Sequence, residues 1–198
     1  SERYSKNKND ADLCPELVSE LHGMNIGKIA YYERPWAKQL RQFVAGQGIE
    51  FNKLTTCQIL RQQLRPFFLG GTRIHSYNHH LCHAAAGFQT SPFDHATVVV
   101  IDAIGEFDTI SIWSARYDSA GRPVYVKMWS RPYPHSIGLF YSAVTQRVGL
   151  RPLDEEYITM GMAAWGRADY TMCMEDLLLH DANDIMFDWR ERQQQDTN

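Results

Sequence analysis

The stretch from Asn78 to Ser111 reads NHHLCHAAAGFQTSPFDHATVVVIDAIGEFDTIS, and the interpretation of the whole chain depends on it. Its first part predicts a helix on which His79 and His83 stand four residues apart, so that their side chains share one helix face. Asp102 ends the apolar strand that follows. Two imidazoles and a carboxylate at a neighbouring strand end can bind one cation. The pattern therefore predicts a metal site.

The segments around this stretch alternate between helical and strand-like patterns. Thr97 to Ile101 is β-branched and apolar on both faces, which predicts a strand that is buried from both sides. Phe107 to Tyr117 and Val124 to Trp129 flank a turn and predict an antiparallel hairpin, and Asn78 is well placed to cap the histidine helix. We therefore expect an α/β fold with a mixed sheet and flanking helices, in a single domain over residues 1–198.

Composition excludes several classes of protein. The 198 residues carry a net charge of -3 without a long Lys/Arg run, which argues against a nucleic-acid-binding protein. No apolar run approaches the roughly 20 residues of a membrane span, so we expect no membrane association. The four cysteines form no Cys-x-x-Cys pair, which favours reduced thiols and a cytoplasmic location. The polar N-terminus carries no initiator Met and no signal-peptide pattern, so we expect a fragment of a longer protein.

The metal site leaves several chemistries open. A single histidine is most often a hydrogen-bonded core or surface residue, but the spacing of the two histidines and Asp102 favours a metal. His80 occupies the place of the glutamate in a His-Glu-x-x-His helix, so a protease of that type would lack its general base. Gly105, Glu106 and Thr109 follow the strand, and such a cluster is typical of a metal and phosphate pocket, although it can also be a simple turn.

Several groups of residues, in the same order along the chain, together resemble the O-carbamoyltransferases of the nodulation and antibiotic-biosynthesis type. The central group is His79 to Ala85, Ser91-Pro92-Phe93, Ile101-Asp102, Gly105-Glu106 and Thr109. The outer groups are Glu2 to Lys8, Tyr141 to Thr145, Glu156-Tyr157 and Met160 to Ala163. The resemblance therefore extends from residue 2 to about residue 166.

This resemblance implies an actin-like fold, of the kind found in sugar kinases and the Hsp70 ATPase, present here only in part. It implies that His79, His83 and Asp102 hold a divalent metal, which could be iron, zinc or manganese. It also implies that carbamoyl phosphate and ATP give a carbamoyl-adenylate, whose carbamoyl group passes to a hydroxyl group of a small-molecule acceptor. Gly105, Glu106 and Thr109 would line the adenylate pocket.

The resemblance covers only the first part of such an enzyme. We expect a truncated N-terminal portion that is inactive alone and that works with a missing C-terminal portion or as a homodimer. Ile158 stands where lysine is frequent in the family, which removes a cation that could bind phosphate. Two other hypotheses remain: a non-catalytic α/β subunit or module, and a metal-dependent hydrolase that uses the same three ligands.

Overall fold

A computed structural model describes residues 14–173, in two compact units that meet along the chain between Tyr141 and Ser142. The Glu2–Lys8 segment lies outside the described residues. No helix in the described range is long and apolar enough to cross a membrane. The helices are α1 (Pro15–Leu21), α2 (Pro35–Val44), α3 (Phe51–Leu54), α4 (Thr56–Leu64), α5 (His79–Gln89), α6 (Ile137–Arg147) and α7 (Glu156–Ala163), and a 3₁₀ turn covers Arg65–Phe67. The strands are β1 (Ile26–Tyr31), β2 (Phe68–Ser76), β3 (His95–Gly105), β4 (Asp108–Tyr117) and β5 (Pro123–Pro132).

The strands of the first unit form two sheets. β1 and β2 pair in parallel, whereas β3, β4 and β5 form an antiparallel sheet with β4 in the middle. The predicted α/β class and the predicted hairpin of β4 and β5 are confirmed. The described residues do not form the predicted single mixed sheet, since the parallel pair of β1 and β2 shares no backbone pairing with the antiparallel sheet of β3, β4 and β5.

Helix α5 packs on one face of the antiparallel sheet. Ala84 of α5, Val100 of β3 and Trp113 of β4 form a buried cluster, because the small alanine lets the helix approach the strands closely. The prediction that Thr97 to Ile101 is buried from both sides is wrong for the described residues. Side chains alternate along a strand, so Val99 and Ile101 point away from α5 and remain 56% and 58% exposed.

The second unit is described from Ser142 to Cys173, and within it α6 and α7 are joined through polar contacts. The buried Ser142 hydroxyl donates a hydrogen bond to the Glu156 carboxylate at 2.5 Å. One turn further along each helix, the hydroxyls of Thr145 and Thr159 lie 2.9 Å apart. Glu156 is the first residue of α7, where a carboxylate interacts favourably with the helix dipole.

Glu156 should make the stability of the protein sensitive to acid. The hydrogen bond from Ser142 holds the pKa of this carboxyl below its usual value of 4.5. An acid with a lowered pKa in the folded state stabilises the protein above its unfolded pKa, and this contribution is lost as the pH falls through the folded value. We expect the thermal unfolding midpoint of the protein to fall between pH 6 and pH 3, and to fall less in Ser142→Ala. If the unfolding midpoints of the two proteins fell by the same amount over this pH range, the role of the Ser142–Glu156 hydrogen bond would be contradicted.

Candidate metal centre

The first turn of α5 is fixed to the turn between β3 and β4. Asn78 precedes the helix in extended conformation, and its side-chain oxygen accepts a hydrogen bond from the Leu81 backbone N–H at 3.0 Å. This confirms the predicted N-cap. The amide nitrogen of the same side chain donates to Glu106 at 3.2 Å. The cap residue therefore holds the helix start and also attaches it to the sheet.

The structure brings the predicted metal ligands together. His79 Nε2 lies 2.9 Å from Asp102 Oδ2 and 3.0 Å from His83 Nε2. One possible ligand atom from each of the three residues lies within 4.8 Å of the other two. His79 and Asp102 are partly buried, whereas His83 is exposed, so the cluster opens to solvent on the side of His83.

Both separations are of ordinary hydrogen-bond length, and they are also compatible with ligands of one cation. If His79 Nε2 carries a proton, it donates to Asp102 and offers no lone pair to His83. If it carries none, it can accept from His83, but its lone pair then faces the carboxylate. A cation would accept all these lone pairs. Adjacent ligands about 2.1 Å from a metal stand about 3.0 Å apart in octahedral geometry and about 3.4 Å apart in tetrahedral geometry, so separations of 2.9 and 3.0 Å are closer to the octahedral value.

Asp102 lies within β3 rather than at its end, in a stretch where the pairing with β4 becomes irregular between Ile101 and Gly105. Its Oδ1 accepts a hydrogen bond from the Ala103 N–H at 2.7 Å. The hydrogen bond with His79 is the main reason why the pKa of the Asp102 carboxyl is lowered. The carboxylate is therefore held in its ionised form, which is the form that binds metal.

The backbone beneath Asp102 is fixed from the other side by the start of α6. Ser136 Oγ donates hydrogen bonds to the carbonyl oxygens of Asp102 and Ala103, at 3.2 and 2.7 Å. Gly138 lies so close that a Cβ at this position would stand 2.7 Å from the Ala103 backbone. These contacts set the direction in which the carboxylate points.

The three residues predicted to line an adenylate pocket are all buried and packed within the chain. A Cβ on Gly105 would stand 2.6 Å from His79 Cδ2 and 2.5 Å from His80 Cδ2, so glycine makes room for both imidazoles. Thr109 donates a hydrogen bond to the carbonyl oxygen of Arg131 at 3.1 Å. The role of Gly105, Glu106 and Thr109 in nucleotide binding stays a prediction.

Glu106, next to the candidate metal centre, forms an ion pair and hydrogen bonds that connect separate parts of the first unit. Its carboxylate accepts hydrogen bonds from the Arg34 backbone N–H at 2.7 Å and from Arg34 Nε at 2.9 Å, besides that from Asn78. Glu106 also has a φ of +44°, in the left-handed region that costs a non-glycine residue about 1–2 kcal/mol. The ion pair with Arg34 offsets this cost and joins the start of α2 to the β3–β4 turn.

We expect Arg34→Ala to lower the free energy of unfolding by about 1–3 kcal/mol. The loss stays below the roughly 3–5 kcal/mol of a completely unpaired buried charge, because Glu106 keeps its bonds to Asn78 and to the backbone of residue 34. Urea unfolding at pH 7 measures the effect. Arg61→Ala, at an exposed arginine of α4, is the matched control and should change stability little. Equal stabilities of the two variants would contradict the role of the Arg34–Glu106 pair.

Sequence reasoning missed two residues next to the candidate ligands. The exposed Tyr32 ring meets His79 edge-on, with ring centroids 5.6 Å apart. His80 is completely buried, and burial lowers the pKa of its imidazole, which favours the neutral form. The position of His80 next to His79 in the sequence could have drawn attention to it, whereas nothing in the local sequence places Tyr32 beside α5.

The fold and this cluster define an α/β protein with a candidate centre of two histidines and one aspartate. The sequence profile described as the carbamoyltransferase N-terminus matches residues 15–194. The chain belongs to this family.

Curated relatives are consistent with the match and are much longer than this chain. An uncharacterized protein of Synechocystis is 29% identical over 94% of the chain and 33% of its own length. An uncharacterized protein of Methanocaldococcus jannaschii is 32% identical over 59% of the chain and 20% of its own length. The nodulation protein NolO of Bradyrhizobium diazoefficiens is 34% identical over 46% of the chain and 16% of its own length. The chain thus spans a third or less of these relatives.

Proposed function

We propose that this chain is the N-terminal, metal-holding part of a carbamoyltransferase. In the proposed reaction, water releases phosphate from carbamoyl phosphate, and the resulting carbamate displaces pyrophosphate from ATP to give a carbamoyl-adenylate. The carbamoyl group then passes to a hydroxyl group of a small-molecule acceptor, and AMP leaves. The observation that carries the proposal is the convergence of His79, His83 and Asp102 in a chain that belongs to the carbamoyltransferase N-terminus family.

In this proposal, the ligands for a divalent cation are His79, His83 and Asp102. Iron, zinc and manganese all suit two imidazoles and one carboxylate. Such a cation acts as a Lewis acid towards phosphate and carbonyl oxygens and stabilises their developing negative charge. The chain itself keeps Asp102 ionised and orients His79. It also leaves His83 on the solvent side, where a phosphorylated substrate can approach.

The proposed adenylate pocket lies beside these ligands. Gly105 is the closest of the three pocket residues, because its Cα packs against the imidazoles of His79 and His80. The side chains of Glu106 and Thr109 already hold Arg34 and the backbone of β5. We propose that these two residues shape the wall of the pocket and leave direct contact with the nucleotide to backbone groups.

The proposal extends to the longer polypeptide. We propose that the chain adopts part of an actin-like fold, and that the acceptor binds only when a C-terminal portion or a second copy completes the cleft. The length of the relatives supports the first alternative, since the chain covers 33% of the Synechocystis protein. The isolated chain should therefore bind ligands without completing carbamoyl transfer.

Isothermal titration calorimetry tests the proposal. We expect metal-loaded protein to bind ATP and carbamoyl phosphate, and His79→Ala/His83→Ala to lose the metal-dependent part of the binding heat. Self-association without binding of either compound would favour a non-catalytic module instead. Turnover of a simple phosphate ester without ATP would favour a metal-dependent hydrolase.

A further inference from the structure

A buried polar chain lies directly behind the candidate ligands. His80 Nδ1 is 2.6 Å from the Ser111 hydroxyl oxygen, and Trp113 Nε1 donates to the same oxygen at 2.7 Å. His80 and Ser111 are both completely inaccessible to solvent. Because the indole nitrogen can only donate, the Ser111 hydroxyl oxygen must accept a hydrogen bond from Trp113. The same hydroxyl group makes its other hydrogen bond to His80.

Two neighbouring residues fix the position of the His80 ring. Ser111 fixes its Nδ1, and Gly105 lies against its opposite edge, so closely that a Cβ there would stand 2.8 Å from Nε2. His80 Nε2 is buried and has no hydrogen-bond partner among the described residues. The bond to Ser111 is therefore the polar contact that determines how this ring sits between α5 and β4.

His79 stands between two attachments of the first turn of α5. On one side, Asn78 is bound to Glu106 at the β3–β4 turn. On the other, His80 is bound to Ser111 in β4. The rotation of this turn about the helix axis decides where His79 points, because successive residues on a helix are separated by about 100°.

We propose that the His80–Ser111–Trp113 chain positions His79 so that its Nε2 reaches Asp102. His80 and Ser111 are thus positioning residues for the candidate metal centre. This inference rests on the proposed function for its metal-binding consequence, but its structural consequence, the contact between His79 and Asp102, can be measured without metal. Hydrogen-bonded groups behind metal ligands typically change metal affinity about 10- to 100-fold when they are removed.

Three variants of the full chain separate the hydrogen bond from the packing. Ser111→Ala removes the partner of His80 Nδ1. His80→Asn places an amide nitrogen near the former Nδ1 and can keep the bond to Ser111, whereas His80→Gln places its amide near the former Nε2 and cannot. Ser114→Ala is the matched control, because Ser114 lies in β4 on the opposite face of the sheet from Ser111.

The probe is Co²⁺, whose visible spectrum reports ligand geometry. We expect Ser111→Ala and His80→Gln to raise the Co²⁺ dissociation constant about 10- to 100-fold and to change the spectrum. His80→Asn and Ser114→Ala should stay within about threefold of the unmodified protein. Variants that unfold at a lower temperature but keep the Co²⁺ spectrum and affinity would overturn the proposal. A loss of affinity in His80→Asn equal to that in His80→Gln would also overturn it.

Imidazole ¹⁵N NMR of the metal-free protein provides the independent measurement. We expect the signature of the His79–Asp102 hydrogen bond to disappear in Ser111→Ala and to persist in Ser114→Ala. If this signature persisted in Ser111→Ala, the positioning role would be overturned, irrespective of the Co²⁺ affinities. Failure of the unmodified protein to bind Co²⁺, with the NMR result as expected, would instead overturn the metal site and leave the positioning role supported.

Discussion

The double variant His79→Ala/His83→Ala is expected to lose divalent-metal binding completely. The change leaves Asp102 as the one remaining member of the cluster, and a single partly exposed carboxylate does not hold Zn²⁺ or Mn²⁺ against water. Metal content after dialysis, measured by mass spectrometry, and titration calorimetry with Zn²⁺ both report the loss. Metal bound by the unmodified protein should be close to one ion per chain.

Two other histidines of the first unit provide the control for this experiment. His75 in β2 and His95 in β3 are exposed and do not belong to the cluster. His75→Ala/His95→Ala should therefore bind metal as the unmodified protein does. Equal metal content in the two double variants would contradict the assignment of His79 and His83 as ligands.

Gly105→Ala is expected to be the most damaging single-methyl addition near the centre. The new Cβ would stand 2.5 Å from His80 Cδ2 and 2.6 Å from His79 Cδ2. Neither imidazole can move away without losing a hydrogen bond, since His80 is bonded to Ser111 and His79 to Asp102. Overpacking of this kind costs about 1–3 kcal/mol of folding free energy. Because His79 must move, we also expect a loss of metal affinity, measurable by the same titration.

Gly87→Ala is the matched control for the added methyl group. Gly87 lies in α5, and a Cβ added there would stand 3.7 Å from its nearest neighbour, Val98 Cγ1, which is an ordinary contact distance. Alanine in a helix is favoured over glycine by about 0.5–1 kcal/mol, so this variant should be as stable as the unmodified protein or more stable. A Gly105→Ala protein that binds metal normally would contradict the packing described around His79.

The features that the sequence predicted correctly depend on residues close together in the chain. Four-residue spacing places His79 and His83 on one face of α5, and a short polar residue before the first turn predicts the Asn78 cap. The hairpin of β4 and β5 follows from the turn between them. In each case the physical cause acts over a few residues, so the local pattern is sufficient.

The features that the sequence did not predict depend on distant contacts. Glu106 pairs with Arg34 across 72 positions, and Ser136 holds the backbone of Asp102 from 34 positions away. No local pattern encodes such pairs. The error at β3 has a related cause: its apolar residues indicate burial on two faces, but within the described residues α5 covers only one, leaving Val99 exposed. The proximity of the three candidate ligands was thus predictable, whereas the contacts that orient them were not, and their role as metal ligands stays a prediction.

X-ray absorption spectroscopy of the Zn²⁺-loaded protein is the most direct test of the metal centre, because it identifies the atoms around the metal. We expect nitrogen and oxygen neighbours at about 2.0–2.2 Å, with the outer-atom scattering of two imidazoles and no sulfur. A sulfur neighbour at about 2.3 Å would place a cysteine such as Cys82 in the centre instead. Either that result or the absence of imidazole scattering would contradict a site built from His79, His83 and Asp102.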